Sequence, residues 1–448
     1  MKVLFVSLGC DKNLVDSEMM LGMLEADGFE ITNDENEADV VVVNTCAFIL
    51  DAKQESIDTI LEFAPARKEG KIKALIAAGC LAQRYAEDIH KEIPEVDALI
   101  GTASFDEIVK VVRDVVGGEA LDVMKSIDAP AICGKRRVLT KGGHSAYLKI
   151  AEGCDKRCTY CAIPSFRGGF RSVPMETLVK EAKQLADIGV RELILVAQET
   201  TVYGQDLYGT KSLPKLIREL ASIEDIAWIR LLYCYPEEID DELIAVMRDE
   251  AKVCHYIDMP IQHANDKILQ RMGRRTNRAF LEDIIAKLRC QIPDICIRTT
   301  LITGFPGETE EDFRDLYNFV DENEFDRLGV FAYSPEEGTI AADMPDQVPD
   351  EIKEARRDEI MELQQEIAYE KAASMVGKKV QVMVEGILVE DHVIVARSYM
   401  DAPEVDGFVF IDADRDYDSG TILDVIITGS SEYDLLGRIQ GGDDEFTK

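Results

Sequence analysis

Gly153-Cys154-Asp155-Lys156-Arg157-Cys158-Thr159-Tyr160-Cys161 carries three cysteines, spaced by three and then two residues, directly behind an apolar strand predicted over 147–151. Three thiolates on one short loop can bind three irons of a [4Fe–4S] cube. The fourth iron then has no protein ligand and can chelate a small molecule through an amine and a carboxylate. An open position of this kind marks a catalytic site, as it does for zinc. Zinc itself would ask for a fourth protein ligand nearby, and the loop offers no histidine or further cysteine.

Outward from this loop, strands are predicted over 192–197, 229–233, 256–261, 296–303 and 327–333, joined by segments such as 176–187 and 240–249 with helical periodicity. Together with 147–151 they make six units, which fit an open (β/α)6 barrel. Upstream, strands predicted over 2–8, 38–44 and 74–78 alternate with helices in a parallel α/β pattern. Each runs into a cysteine: Cys10, Cys46 and Cys80. Ligands gather beyond the carboxyl ends of strands in such sheets, so three cysteines distant in sequence meet at one place. A free cysteine can also finish a buried strand as a small hydrophobe, which accounts for each position singly but not for the shared location.

Between residues 117 and 143 the pattern loosens around Pro130, Gly134 and the run Lys135-Arg136-Arg137, read as a solvated connection, with contact to an acidic neighbouring domain as the alternative. Downstream, a long charged amphipathic stretch over 349–374 leads to short alternating strands punctuated by glycine and aspartate, a small antiparallel β-barrel. The expected organisation is an α/β protein in three parts: an N-terminal parallel α/β domain over 1–130, the open barrel over 140–370 and the small β-barrel over 373–441.

A length of 448 residues is consistent with several cores. Eleven cysteines without an export signal argue for metal ligation and core packing over disulfides, and five histidines are too few for a histidine-based site. The net charge of −36 repels a phosphate backbone and favours a basic partner, so direct nucleic-acid binding is not expected. No apolar run reaches the roughly 18 residues of a membrane span, and a cytoplasmic location is expected.

The spacing Cys-x3-Cys-x-aromatic-Cys resembles that of the radical S-adenosylmethionine superfamily. The order of an N-terminal three-cysteine domain, a radical core and a small terminal barrel resembles the methylthiotransferase family, with its TRAM (OB-like) terminal domain. The resemblance implies two [4Fe–4S] clusters, one on Cys154, Cys158 and Cys161 and an auxiliary one on Cys10, Cys46 and Cys80. It further implies that S-adenosylmethionine is cleaved to a 5′-deoxyadenosyl radical that takes a hydrogen atom from the substrate, and that a second molecule donates the methyl group. Its expected contacts are Tyr160 on the adenine side, Gln198 and Glu199 at the amine, and Arg298 and Thr299 at the carboxylate. No further catalytic residue is assigned.

The segments 7–18, 150–154, 163–168 and 401–407 are similar to the branch that modifies an aspartate β-carbon of ribosomal protein S-twelve, free or in the small ribosomal subunit. The electron donor and the sulfur donor are left open. Adenosine in tRNA and a non-catalytic iron–sulfur electron carrier are the competing readings. Lys12, Asn13, Asp16 and Ser17 are expected beside the cavity, with a helix cap as the alternative for Asn13 and Ser17. Cys234, Cys254, Cys290 and Cys296 are expected in the core. The glycines of Gly304-Phe305-Pro306-Gly307-Glu308 are expected to admit a flat adenine, or else to form a plain turn.

Overall fold

Four apolar residues in a row at Val40–Val43, then Asn44 and Thr45, bury every side chain of a strand at the centre of the first sheet. Such unbroken runs are the mark of a parallel sheet covered on both faces. The computed structural model describes residues 1–390, 392–412 and 415–440. The first sheet contains β1 (Lys2–Ser7), β2 (Glu30–Thr32), β3 (Val40–Thr45), β4 (Ala74–Gly79) and β5 (Ala98–Ile100), in the order β2-β1-β3-β4-β5. All its pairings are parallel. The sequence did not announce β2 and β5, because three residues are too few for a period to register.

The second layer is built on β6 (Ser145–Lys149), with β7 (Ala151–Glu152) and β8 (Arg171–Ser172) forming a short antiparallel pair beside it. Then follow β9 (Glu192–Val196), β10 (Trp228–Leu231), β11 (Val253–Asp258), β12 (Cys296–Thr303) and β13 (Arg327–Ala332). The order β6-β9-β10-β11-β12-β13 is wholly parallel and unclosed, the open six-stranded barrel that was expected. β11 ends before the expected 261 because Met259 and Ile261, although fully buried, belong to the loop beyond it.

The third unit is a closed barrel of β14 (Lys379–Leu388), β15 (Val393–Ser398), β16 (Val409–Asp412), β17 (Ile422–Ser431) and β18 (Asp434–Ile439). Four seams are antiparallel and one, β16 with β18, is parallel. Strands of alternating direction cannot close a ring of five without one like-directed pair. Residue 441, the expected end of this barrel, lies outside the described residues.

Two buried ionic joints tie the units together. Arg137 sits 2.6 Å from Glu18 and 2.8 Å from Glu181, each side chain almost wholly buried. It is thus no solvated linker residue: the acidic contact holds, and Arg137 rivets the helix Asp11–Ala26 to the helix Met175–Asp187. At the base of the open barrel, Glu192 receives Arg230 at 2.8 Å and Arg397 of β15 at 2.6 Å. Burial opposes the charge, but the two guanidinium groups hold the Glu192 carboxyl down to about 2. Met383 and Ala402 of the small barrel join Ile194, Val196, Trp228 and Tyr256 in one apolar cluster there, stoppering the lower end of the lumen.

Candidate active site

Cys10, Cys46 and Cys80 follow β1, β3 and β4, three adjacent strands that end at one edge of the first sheet. The close approach requires Gly9: at φ +86°, a Cβ there would stand 2.7 Å from Cys46 Cβ. Asn13 holds the strand ends together, its Nδ2 donating to the carbonyls of Leu8 at 3.0 Å and Thr45 at 2.9 Å. Ser17 Oγ donates to the Asn13 carbonyl and Asn44 Nδ2 donates to Ser17 Oγ. Asn13 and Ser17 are therefore cross-links inside the triad; the N-cap of this helix is Cys10. Burial raises the Cys46 thiol, and the backbone N–H groups of Phe48 and Ala47 hydrogen-bond it and favour the thiolate. Burial pushes Cys80 up to about 12 against the opposing charge of Arg167.

The second triad lies on the loop between β7 and the helix Ile163–Arg167. Cys154 N–H donates to the Gly168 carbonyl at 3.1 Å, and Thr159 N–H to Met272 at 2.9 Å, which pins both ends of the loop. Lys156 N–H points to Cys154 Sγ at 3.5 Å, Ile163 N–H hydrogen-bonds the Cys161 thiol, and the Tyr235 hydroxyl is 3.9 Å from Cys158 Sγ. Burial pushes Cys154 up to about 11 and Cys161 to about 12. Among the described residues, no three His, Cys, Asp or Glu side chains close on a point that would hold a single ion. A cube asks for a different arrangement, one thiolate per iron with backbone N–H groups on the sulfurs, and both triads offer that donor set.

Gln198 and Glu199 follow β9, and both are buried. Gln198 Nε2 donates to Glu152 Oε1 at 2.9 Å while its Oε1 has no partner; Glu199 Oε2 likewise has no hydrogen bond. Burial pushes Glu199 up to about 7 even though the Lys156 ammonium lies 3.5 Å away. Buried polar atoms without partners call for an explanation, and a polar ligand supplies one. Tyr160 packs beside Ile268, Met272, Phe305, Tyr333 and Ala341. Arg298 lies between Asp258 at 3.3 Å and Asp406 of the small barrel at 3.6 Å, and Thr299 donates its hydroxyl to the Met259 carbonyl at 2.8 Å. The structure thus gathers Tyr160, Gln198 and Glu199 around the 154–161 loop and sets Arg298 and Thr299 among protein partners. At Gly304, φ +70°, the room a Cβ would take is filled by Lys353, 2.1 Å away, so this glycine admits the helix Asp350–Ser374.

Sequence reasoning missed Arg167, which ends the short helix behind the second triad and reaches a cysteine of the first. Six positions after Cys161, its Nε stands 3.3 Å from Cys80 Sγ. Nη1 reaches Asp16 Oδ2 at 2.9 Å and Glu152 Oε2 at 3.1 Å, and Nη2 donates to Asn13 Oδ1. Lys149 completes the group, bonded to Asp16 and, at 2.8 Å, to Glu152. The available signal was a lysine and a glutamate within two short buried strands, β6 and β7. Beside Cys10, Lys12 Nζ lies 3.0 Å from Asp11 and 3.2 Å from the centroid of the Tyr233 ring. Burial works against its charge, but Asp11, Tyr233 and Cys10 hold Lys12 above its ordinary value. Cys234, Cys254 and Cys296 are buried as expected; Cys290 is instead exposed, on the helix Arg278–Gln291.

Three family models match the chain: "Uncharacterized protein family UPF0004" over residues 2–101, "Radical SAM superfamily" over 148–320 and "TRAM domain" over 376–439. The chain is 60% identical to the ribosomal protein uS12 methylthiotransferase RimO of Lachnoclostridium phytofermentans, over 98% of this chain and 100% of that protein. It is 50% identical to the protein of the same name from Acetivibrio thermocellus, over 98% of each. Among solved structures, the radical S-adenosylmethionine methyltransferase TsrM of Kitasatospora setae superposes with a TM-score of 0.54 at 14% identity, covering 76% of each chain, a likeness of fold.

Proposed function

The chain belongs to the RimO family of ribosomal protein uS12 methylthiotransferases, radical S-adenosylmethionine enzymes, and on that footing we propose how its residues divide the work. Its reaction places a methylthio group on the β-carbon of an aspartate in ribosomal protein S-twelve. Cys154, Cys158 and Cys161 hold the radical cluster, and Cys10, Cys46 and Cys80 a second [4Fe–4S] cluster. When bound, the clusters and S-adenosylmethionine supply hydrogen-atom removal, sulfur and methyl group. The observation that supports this reading is the contact of Arg167 with Cys80, which ties the short helix behind the 154–161 loop to the first triad.

Each side of the site then has its own task. Gln198 Oε1 and Glu199 Oε2, neither of which accepts a hydrogen bond, receive the ammonium of S-adenosylmethionine, and Tyr160 lies along its adenine. Arg298 and Thr299 remain assigned to the carboxylate side, where Arg298 would exchange an aspartate for it. Lys12, beside Cys10, offers a buried cation to the carboxylate of the substrate aspartate, a group adenosine lacks. A net charge of −36 suits a basic ribosomal protein, met free or in the small subunit. A ribosomal substrate supports a cytoplasmic location. No helix among the described residues is long and apolar enough to cross a membrane. The units 1–130, 140–370 and 373–441 carry the auxiliary cluster, the radical chemistry and the stopper of the lumen.

The test is anaerobic reconstitution with reductant, S-adenosylmethionine and sulfide, followed by peptide mass spectrometry of the ribosomal protein. Cys158→Ala should abolish both cofactor cleavage and the methylthio increment on aspartate. Cys46→Ala should abolish the increment and keep cleavage. Modification of tRNA in place of the protein would overturn the substrate, and no cleavage by the parent chain would overturn the radical chemistry.

A further inference from the structure

We propose that Arg167 sets the reduction potential of the auxiliary cluster through a charge-assisted N–H···S hydrogen bond to Cys80, with Asp16 as the counter-charge that limits it. This rests on the reading that Cys10, Cys46 and Cys80 hold a cluster.

The acceptor separates Arg167 from the other buried arginines among the described residues. Arg274 and Arg356 leave Nε without a hydrogen-bond partner, and Arg230 and Arg397 turn theirs on the carboxylates of Glu192 and Glu385. In Arg167 the Nε is the nitrogen aimed at sulfur, 3.3 Å from Cys80 Sγ, while Nη1 and Nη2 are occupied by Asp16, Glu152 and Asn13. Three anchors fix the guanidinium plane, so the fourth direction is not free to turn from the thiol. The side chain is 3% exposed, and a donor shielded from water acts at full strength on its acceptor.

Hydrogen bonds and positive charge at a cluster sulfur favour the reduced, more negative state and so raise its potential. Two cations, Arg167 and Lys149, face two carboxylates, Asp16 and Glu152, so the field at Cys80 depends on which member is removed. Arg167 belongs to the radical unit and Cys80 to the first sheet. The auxiliary potential is therefore sensitive to how the two are docked.

The experiment is an EPR-monitored redox titration of the full chain carrying Cys158→Ala, which isolates the auxiliary cluster. Arg167→Gln should move its midpoint to more negative potential, Arg167→Lys should recover part of the shift, and Asp16→Asn should move it the opposite way. An unchanged midpoint in Arg167→Gln, or shifts of the same sign in Arg167→Gln and Asp16→Asn, would overturn the inference. Should Arg167→Gln load no cluster, Asp16→Asn decides alone: a positive shift supports the proposal, and none or a negative one overturns it. A Cys158→Ala parent that binds no cluster at all would overturn the two-cluster reading itself.

Discussion

The Lys156 ammonium stands 3.5 Å from the Glu199 carboxylate, yet that carboxyl is pushed up to about 7 because burial outweighs the pairing. Thr201 hydrogen-bonds its other oxygen, and Glu237 lies close enough to add a like charge. A cationic ligand prefers the ionised form, so affinity for S-adenosylmethionine should be present above about pH 7 and fall as the pH drops through it. Glu199→Gln should bind roughly tenfold or more weakly, since each 1.4 kcal/mol is a factor of ten, and should flatten the profile. Calorimetric titration between pH 6 and pH 8 measures both.

Lys12→Met keeps the length of the side chain and removes the charge beside Cys10. Cofactor cleavage in the absence of protein substrate should be unchanged, while KM for the ribosomal protein rises by about tenfold, the order of one buried charged hydrogen bond. An unchanged KM would separate Lys12 from substrate recognition.

Gly9→Ala puts a methyl group 2.7 Å from Cys46 Cβ at a φ that costs an L-residue about 1–2 kcal/mol. The expected result is loss of the auxiliary cluster alone. Iron per chain should fall by about half, with cofactor cleavage retained on the cluster of the other triad.

Arg137→Ala strands the carboxylates of Glu18 and Glu181 in the interior. Removing one member of a buried pair typically costs about 3–5 kcal/mol, and chemical denaturation should show a loss of that size. Glu18→Gln combined with Glu181→Gln in the Arg137→Ala background should recover part of it.

The architecture was legible where chemistry and period coincide. Cys10, Cys46 and Cys80 advertised themselves by sitting at the ends of apolar runs, and the six barrel strands by regular spacing with helices between. Arg167 was hidden, because nothing local distinguishes an arginine that reaches across to another unit from one at a surface. Arg137 was misread for a related reason: a basic run beside glycines has the composition of a linker, and its burial is decided by Glu18 and Glu181, distant in sequence. Cys290 shows the converse error, since a cysteine on an amphipathic helix is not thereby on its inner face.

The stopper at the base of the open barrel has an optical consequence. Trp228, the chain's one tryptophan, is 6% exposed and shares its cluster with Met383 and Ala402 of the terminal unit. Its indole is thus an intrinsic fluorophore at the joint. Undocking of the small barrel would admit water to the ring and shift its emission to the red, so the state of this joint can be followed during turnover without an added label.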